Sequence, residues 1–378
     1  MTIVTGLLIL SFLVFFHELG HFLAARLCGV KVEAFSIFMG PVLLHKKIGQ
    51  TDYRLSLLPI GGYCQMKGEK EFTKAIEDGL GYVPGEKDSL YGTNPLKRAL
   101  IGFAGPFFNL LFTFIACVII AMMGHSYYTR SATIKIPQDP NFASPARDAG
   151  IKSGDTITKI QGKEISDFSD IYEQVALNGD EDITVEVLRQ NPDGSQETLA
   201  FNVHTLINKK EGNGILGVMA SDEEIEKVIA PLPLFPAIKA GFANTTNILA
   251  MTIKGLGVLF KGVDITNAVS GPARISSMLG ETATEGFSAG IKTGWIVVLQ
   301  FMSLISVSLF IMNLLPIPIL DGGLILFAFI QAVTKKQIPP RIQYKIQAVG
   351  FAIILFLFLV GISGDIKYFI TKASGAKQ

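Results

Sequence analysis

The chain has 378 residues, of which 49% are hydrophobic and 17% charged, and its formal net charge at neutral pH is +1. That is richer in apolar residues and poorer in charge than a soluble globular average. A net charge near zero gives no electrostatic footprint for nucleic acid. The three cysteines, Cys28, Cys64 and Cys117, are odd in number and lack C-x-x-C spacing, so neither a disulfide framework nor a cysteine metal site is read from them.

The first apolar run, LLILSFLVFFHELGHFLAARLCGV at 7–30, predicts a transmembrane helix over 1–25. No basic n-region precedes it and no convincing cleavage site follows, so it reads as a retained span. Arg26, Lys31, Lys46 and Lys47 follow it, and the positive-inside bias places the N-terminus outside. Two histidines and a glutamate inside such a run are costly, and intramembrane ionisable groups mark function by default. His17, Glu18 and His21 form H-E-x-x-H, which on a helix sets both imidazoles on one face as zinc ligands.

Residues 26–98 are expected as a β-rich region on the inner side, with segments 35–48 and 53–66 around a turn at 49–52 and a charged loop near 68–94. A second span is predicted over 99–124, its start held inside by Lys97 and Arg98. Residues 125–225 then read as a small α+β domain outside, with a turn at NPDG and a helix near 168–177, and 226–290 as amphipathic surface helices. A third apolar run occupies 291–334. It is too long for one helix across a ~30 Å core, and Pro316 and Pro318 argue for a break. A basic loop at 335–346, a short fourth span at 347–364 and an outer tail at 365–378 complete four spans with both termini outside.

Two histidines leave zinc short of a ligand, since catalytic sites hold three protein ligands and an open position. At 1.5 Å per residue, His17 and His21 lie roughly 20–27 Å along the first span, in the inner third of the membrane. Asp321, the only acid of the third run, lies near its inner end at matching depth. It is the candidate third ligand, with Glu18 left as general base for a zinc-activated water. An acid before Gly-Gly also suits a helix cap, so both roles stay open for Asp321. His45, His125 and His204 carry no ligand signal.

HELGH in the first span and NLLPIPILDGG at 313–323 resemble the paired motifs of the site-2 protease family of intramembrane zinc metalloproteases. GPFFN (105–109), LPIGGYCQMKGE (58–69) and VSGPARI (269–275) resemble segments of its bacterial regulator-of-sigma-E protease branch. Residues 143–165, ASPARDAGIKSGDTITKIQGKEI, resemble a PDZ pattern, in one visible copy.

The resemblance implies an α-helical polytopic membrane protein with four transmembrane helices, an inserted α+β PDZ domain outside and a membrane-associated β-hairpin. It implies His17, His21 and Asp321 as Zn2+ ligands and Glu18 as the catalytic base. Asn313, Leu57, Leu58, Gly61, Gly62 and Asn109 are the candidate substrate-contacting residues. It further implies single-span transmembrane substrates resembling anti-sigma factors or remnant signal peptides, regulated intramembrane proteolysis, and a bacterial inner membrane as the setting. Two other readings stay open: a membrane-anchored zincin with its site in a cytoplasmic domain, and a non-catalytic PDZ scaffold. Intact Glu18 weighs against the scaffold.

Overall fold

A computed structural model describes residues 2–139, 142–208, 212–258 and 271–373. Val269 and Ser270 of VSGPARI, residues 259–268 of the expected surface helices and the end of the tail lie outside the described residues. The chain divides into two compact units, one drawn from 1–122, 233–249 and 270–378, the other from 123–232 and 250–269.

The first unit is mostly helical. Helices α1 (Thr2–Leu27), α2 (Glu69–Glu77) and α3 (Pro95–Met123) occupy its N-terminal part. Among the described residues four helices are long and apolar enough to cross a membrane: α1, α3, Ile291–Leu314 and Pro340–Ala373. In lipid every backbone polar group needs a partner within the chain, and an α-helix supplies those partners along its own length. The third apolar run is interrupted at its prolines. One helix ends at Leu314 and a short apolar helix restarts at Asp321 and runs to Thr334. The last helix, Pro340–Ala373, outruns the expected 347–364 at both ends. Hydropathy sees only the apolar middle, whereas helix hydrogen bonding continues through the polar flanks.

Strands β1 (Val32–Ile48) and β2 (Thr51–Met66) follow α1 and turn at Gly49, whose φ of 61° suits a tight reversal. The hairpin is curled. Ala34–Ile37 pair on one side with Gln65–Gly62 and on the other with Asp52–Leu55. Phe38 and Gly40, at φ 69° and 84°, bend β1 beyond that point.

Helix α6 (Leu234–Val258) precedes α7 (Pro272–Ser288), and the apolar helices 291–314, 321–334 and 340–373 are α8, α9 and α10. Helix α7 buries one face, formed by Ser276, Ser277, Leu279, Gly280, Ala283 and Gly286. A Cβ at Gly6 would stand 1.9 Å from the Ser276 carbonyl, and one at Gly280 the same distance from that of Thr2. Small residues let the two backbones approach that closely, the means by which helices associate where lipid removes the hydrophobic drive. Leu13, Phe112, Leu279, Val298 and Met302 form the core where α1, α3, α7 and α8 meet.

In the second unit, β3 (His125–Arg130) pairs antiparallel with β12 (Glu224–Ile229), so both ends of the inserted segment lie side by side. Between them lie β4 (Ile134–Lys135), the short α4 (Pro145–Asp148), β9 (Leu206–Ile207), β10 (Gly214–Ile215), β11 (Met219–Ala220) and a four-stranded sheet of β5 (Thr156–Ile160), β6 (Lys163–Glu164), β7 (Asp182–Gln190) and β8 (Gln196–His204), in the order β6-β5-β7-β8. Along β7, buried Ile183, Val185 and Val187 alternate with more exposed residues, the period-2 signature of a one-sided strand. They join Ile134, Ile157, Ile160, Ile171 and Val203 in a separate core, and helix α5 (Phe168–Ala176) closes it, capped by Asp167.

Candidate metal centre

Spacing i, i+4 on α1 stacks His17 and His21 one turn apart, with Nε2 atoms 3.1 Å from each other. The break between α8 and α9 presents Asp321 to them. Its Oδ2 lies 3.1 Å from His17 Nε2 and its Oδ1 3.2 Å from His21 Nε2. The N-cap position of α9 is Leu320, without a side-chain cap bond, so the Asp321 carboxylate serves the histidines rather than the helix end. Both imidazoles are buried, at 8% and 6% exposure.

Each Nε2 faces its own Asp321 oxygen, and one ligand atom from each of the three residues lies within 4.8 Å of the others. Tetrahedral zinc with bonds of about 2.0–2.1 Å to nitrogen and oxygen separates its ligands by about 3.3 Å. The donor set, two neutral imidazoles and a carboxylate, is that of catalytic zinc with an open fourth position. His17, His21 and Asp321 therefore fit such an ion. Among the described residues no other group of three or more histidine, cysteine, aspartate or glutamate side chains converges this way.

Neighbouring backbone completes the site. The Nδ1 of His21 lies 2.8 Å from the Ile101 carbonyl and donates to it, which leaves Nε2 bare. Gly105 makes the room, since a Cβ there would sit 2.2 Å from His21 Nε2 and 2.8 Å from His17 Nε2. Glu18, half-buried on the next position of α1, faces the Cys64 backbone N–H in β2. A Cβ at Gly62 would lie 3.8 Å from Glu18 Cγ, so the hairpin runs past the carboxylate without crowding it. Asn109 is fully buried, with its side-chain amide 3.0 Å from His17 Nδ1.

The structure thus gathers His17, His21, Asp321, Glu18, Asn109 and Gly62. Leu57 and Leu58 stand exposed on β2 at 52% and 43%, and Gly61, at φ 140°, marks the bend beside them. Asn313, in the last turn of α8, is half-buried and its side chain makes no hydrogen bond among the described residues. Sequence reasoning missed Gly105, the Ile101 carbonyl and the Cys64 N–H. The last two are backbone groups that any residue type supplies. Only Gly105 left a trace, a glycine next to a proline inside an apolar helix, where close approach is the usual reason.

Four membrane-length helices among the described residues, together with a buried set of two histidines and an aspartate beside a glutamate, define a zinc metalloendopeptidase of the multi-pass membrane class. The model of Peptidase family M50 matches residues 5–357, and the chain belongs to that family, the site-2 proteases. Among its relatives, a Treponema pallidum protein is 34% identical over 445 aligned positions, covering 97% of this chain and 99% of its own length. A Campylobacter jejuni protein is 34% identical, covering 96% and 92%, and one from Clostridium perfringens 32% identical, covering 97% and 99%. All three are provisionally named zinc metalloproteases.

Proposed function

We propose that the chain is an intramembrane endopeptidase that cuts single-span membrane proteins, with His17, His21 and Asp321 as zinc ligands and Glu18 as the base. One observation carries the reading: two imidazole Nε2 atoms 3.1 Å apart, each within 3.1–3.2 Å of an Asp321 oxygen, beside the Glu18 carboxylate and on apolar helices. A cytoplasmic zincin would draw its third ligand from a polar helix, whereas here it comes from the apolar α9.

Zinc held there supplies a Lewis acid, which polarises the scissile carbonyl and eases ionisation of a water. Glu18 takes the proton of the attacking water and returns it to the leaving amine as the C–N bond breaks. Substrate must lose its helix first, because its backbone hydrogen bonds shield the scissile amide, and groups freed in lipid cost several kcal/mol each. The 62–66 stretch of β2 pairs with β1 on one side and runs past Glu18. It offers backbone groups for an added strand, which replaces the bonds the substrate helix gives up. The unpaired Asn313 amide is a further partner for extended backbone.

The second unit is read as the PDZ domain, outside a bacterial inner membrane. A cavity of about 170 Å3 between α5 and residues 214–218, lined by Phe168, Ile171, Tyr172 and Val175, supports binding of an apolar extended peptide. Anti-sigma-factor-like proteins and remnant signal peptides are the proposed substrates, placing the enzyme in regulated intramembrane proteolysis.

The deciding experiment compares the purified wild type with Glu18→Gln on a single-span reporter while zinc content is measured in both. Cleavage is expected to fall by at least about 100-fold, the scale of general-base catalysis, with one zinc retained. Cleavage that persists in the variant rejects this chemistry.

A further inference from the structure

A histidine that binds metal through Nε2 carries its proton on Nδ1, and the acceptor of that proton fixes ring and tautomer. For His21 the acceptor is the Ile101 carbonyl, a group that can only accept. For His17 the group facing Nδ1 is the side-chain amide of Asn109, at 3.0 Å. Asn109 is held from behind. Its own carbonyl accepts from Ser306 Oγ at 2.8 Å and from Thr113 Oγ1 at 3.3 Å, which ties this point of α3 to α8.

An asparagine amide has two ends, and each selects a different histidine. With Nδ2 toward the ring, Asn109 donates to Nδ1, and His17 bears its proton on Nε2 facing Asp321 Oδ2, 3.1 Å away. The amide Oδ1 is then buried with no hydrogen-bond partner. Half a turn about the last side-chain torsion brings that oxygen onto Nδ1–H and bares Nε2, matching His21. A buried acceptor without a donor is rare and costly, about 1–3 kcal/mol, and turning the amide as the proton moves to Nδ1 gives Oδ1 that donor.

Resting on the zinc reading of the triad, we infer that Asn109 is a positioning residue that sets the His17 tautomer, its amide oxygen accepting from Nδ1–H to leave Nε2 bare toward zinc. Asn109 makes its contact with a ligand and not with the substrate. It also explains why a fully buried amide sits in an otherwise apolar helix.

The test uses full-length protein in detergent, with zinc affinity read by competition against a chromophoric chelator and the visible spectrum of the cobalt-substituted site as a second readout. Asn109→Leu keeps the volume and removes the acceptor. It is expected to weaken zinc binding 10–100-fold, the usual loss for such an outer partner, and to alter the cobalt spectrum. Asn109→Asp, which can only accept, is expected to restore affinity to within a few-fold of wild type. Thermal unfolding with excess chelator checks that both variants fold. Wild-type affinity in Asn109→Leu with a raised KM makes Asn109 a substrate contact and overturns the inference, as does an Asp variant as weak as the Leu variant. Failure of the triad itself shows separately: the wild type then binds no zinc, or His21→Ala binds it equally well.

Discussion

At the residue scale the site depends on an absence of atoms. Gly105 leaves open the volume into which both Nε2 atoms project, and a methyl there would sit 2.2 Å from one and 2.8 Å from the other. Alanine favours a helix over glycine by about 1 kcal/mol, so Gly105→Ala separates two effects that usually travel together. We expect zinc affinity and cleavage to drop by at least about tenfold, while thermal stability measured with excess chelator holds or rises. Zinc binding equal to wild type would show that the imidazoles do not need that space. The same residue marks where sequence reading stops. The i, i+4 histidines are legible because helix geometry turns spacing into a shared face, and Asp321 because depth can be counted in rises of about 1.5 Å. Gly105 needs a neighbour to give it meaning, and that neighbour is on another helix.

Among the elements, the curled hairpin departs most from its sequence pattern. Alternating residues forecast two strands and a turn, but not the second pairing of Ala34–Ile37 with Asp52–Leu55. Non-local pairing follows from bends at Phe38 and Gly61, and a bend is set by φ, which residue type only biases. The curl covers one face of 52–55 and leaves β2 open farther along, from about Leu57 toward the stretch at Glu18. Proline removes a backbone donor and is tolerated in sheets at edges. Leu57→Pro is therefore expected to cut cleavage of a single-span reporter by at least about tenfold, on the scale of one or two lost hydrogen bonds to extended substrate. Zinc content should stay at the wild-type level. Undiminished cleavage removes the hairpin from substrate capture. Helix α7 teaches a related lesson: its pattern suits a membrane surface, yet Gly6 and Gly280 draw α1 and α7 together through backbone contact, to which hydropathy is blind.

At the scale of the whole molecule, the charge bias and four apolar runs made a multi-pass protein readable, and the ladder between β3 and β12 explains how a second unit is accommodated. A segment whose two ends pair with each other leaves and rejoins the chain at one place, so it can fold around a core of its own. Residues 123–232 produced alone are expected to unfold cooperatively. Their pH dependence follows from Asp167, whose side chain is 1% exposed and ion-paired with Lys227. Burial pushes that carboxyl up, but the Lys227 ammonium and the backbone N–H groups of Asp170 and Ser169 outweigh it and hold the pKa below the ordinary aspartate value. A carboxyl lowered in the folded state stabilises above its unfolded pKa, near ~3.9, and that contribution disappears as pH falls through the folded value. Breaking a buried pair by removing one partner costs about 3–5 kcal/mol. A quarter of the Lys227 side chain meets water, which brings the expectation for Lys227→Met to about 2–3 kcal/mol at pH 7. Urea unfolding should show that gap narrowing once the pH drops below about 4, where Asp167 of the unfolded chain takes up a proton that the folded wild type still refuses, and closing when the folded wild-type carboxyl protonates and its pair is lost. A gap that stays constant from neutral to acid pH would mean that Lys227 supports the domain through packing of its stem and not through its charge.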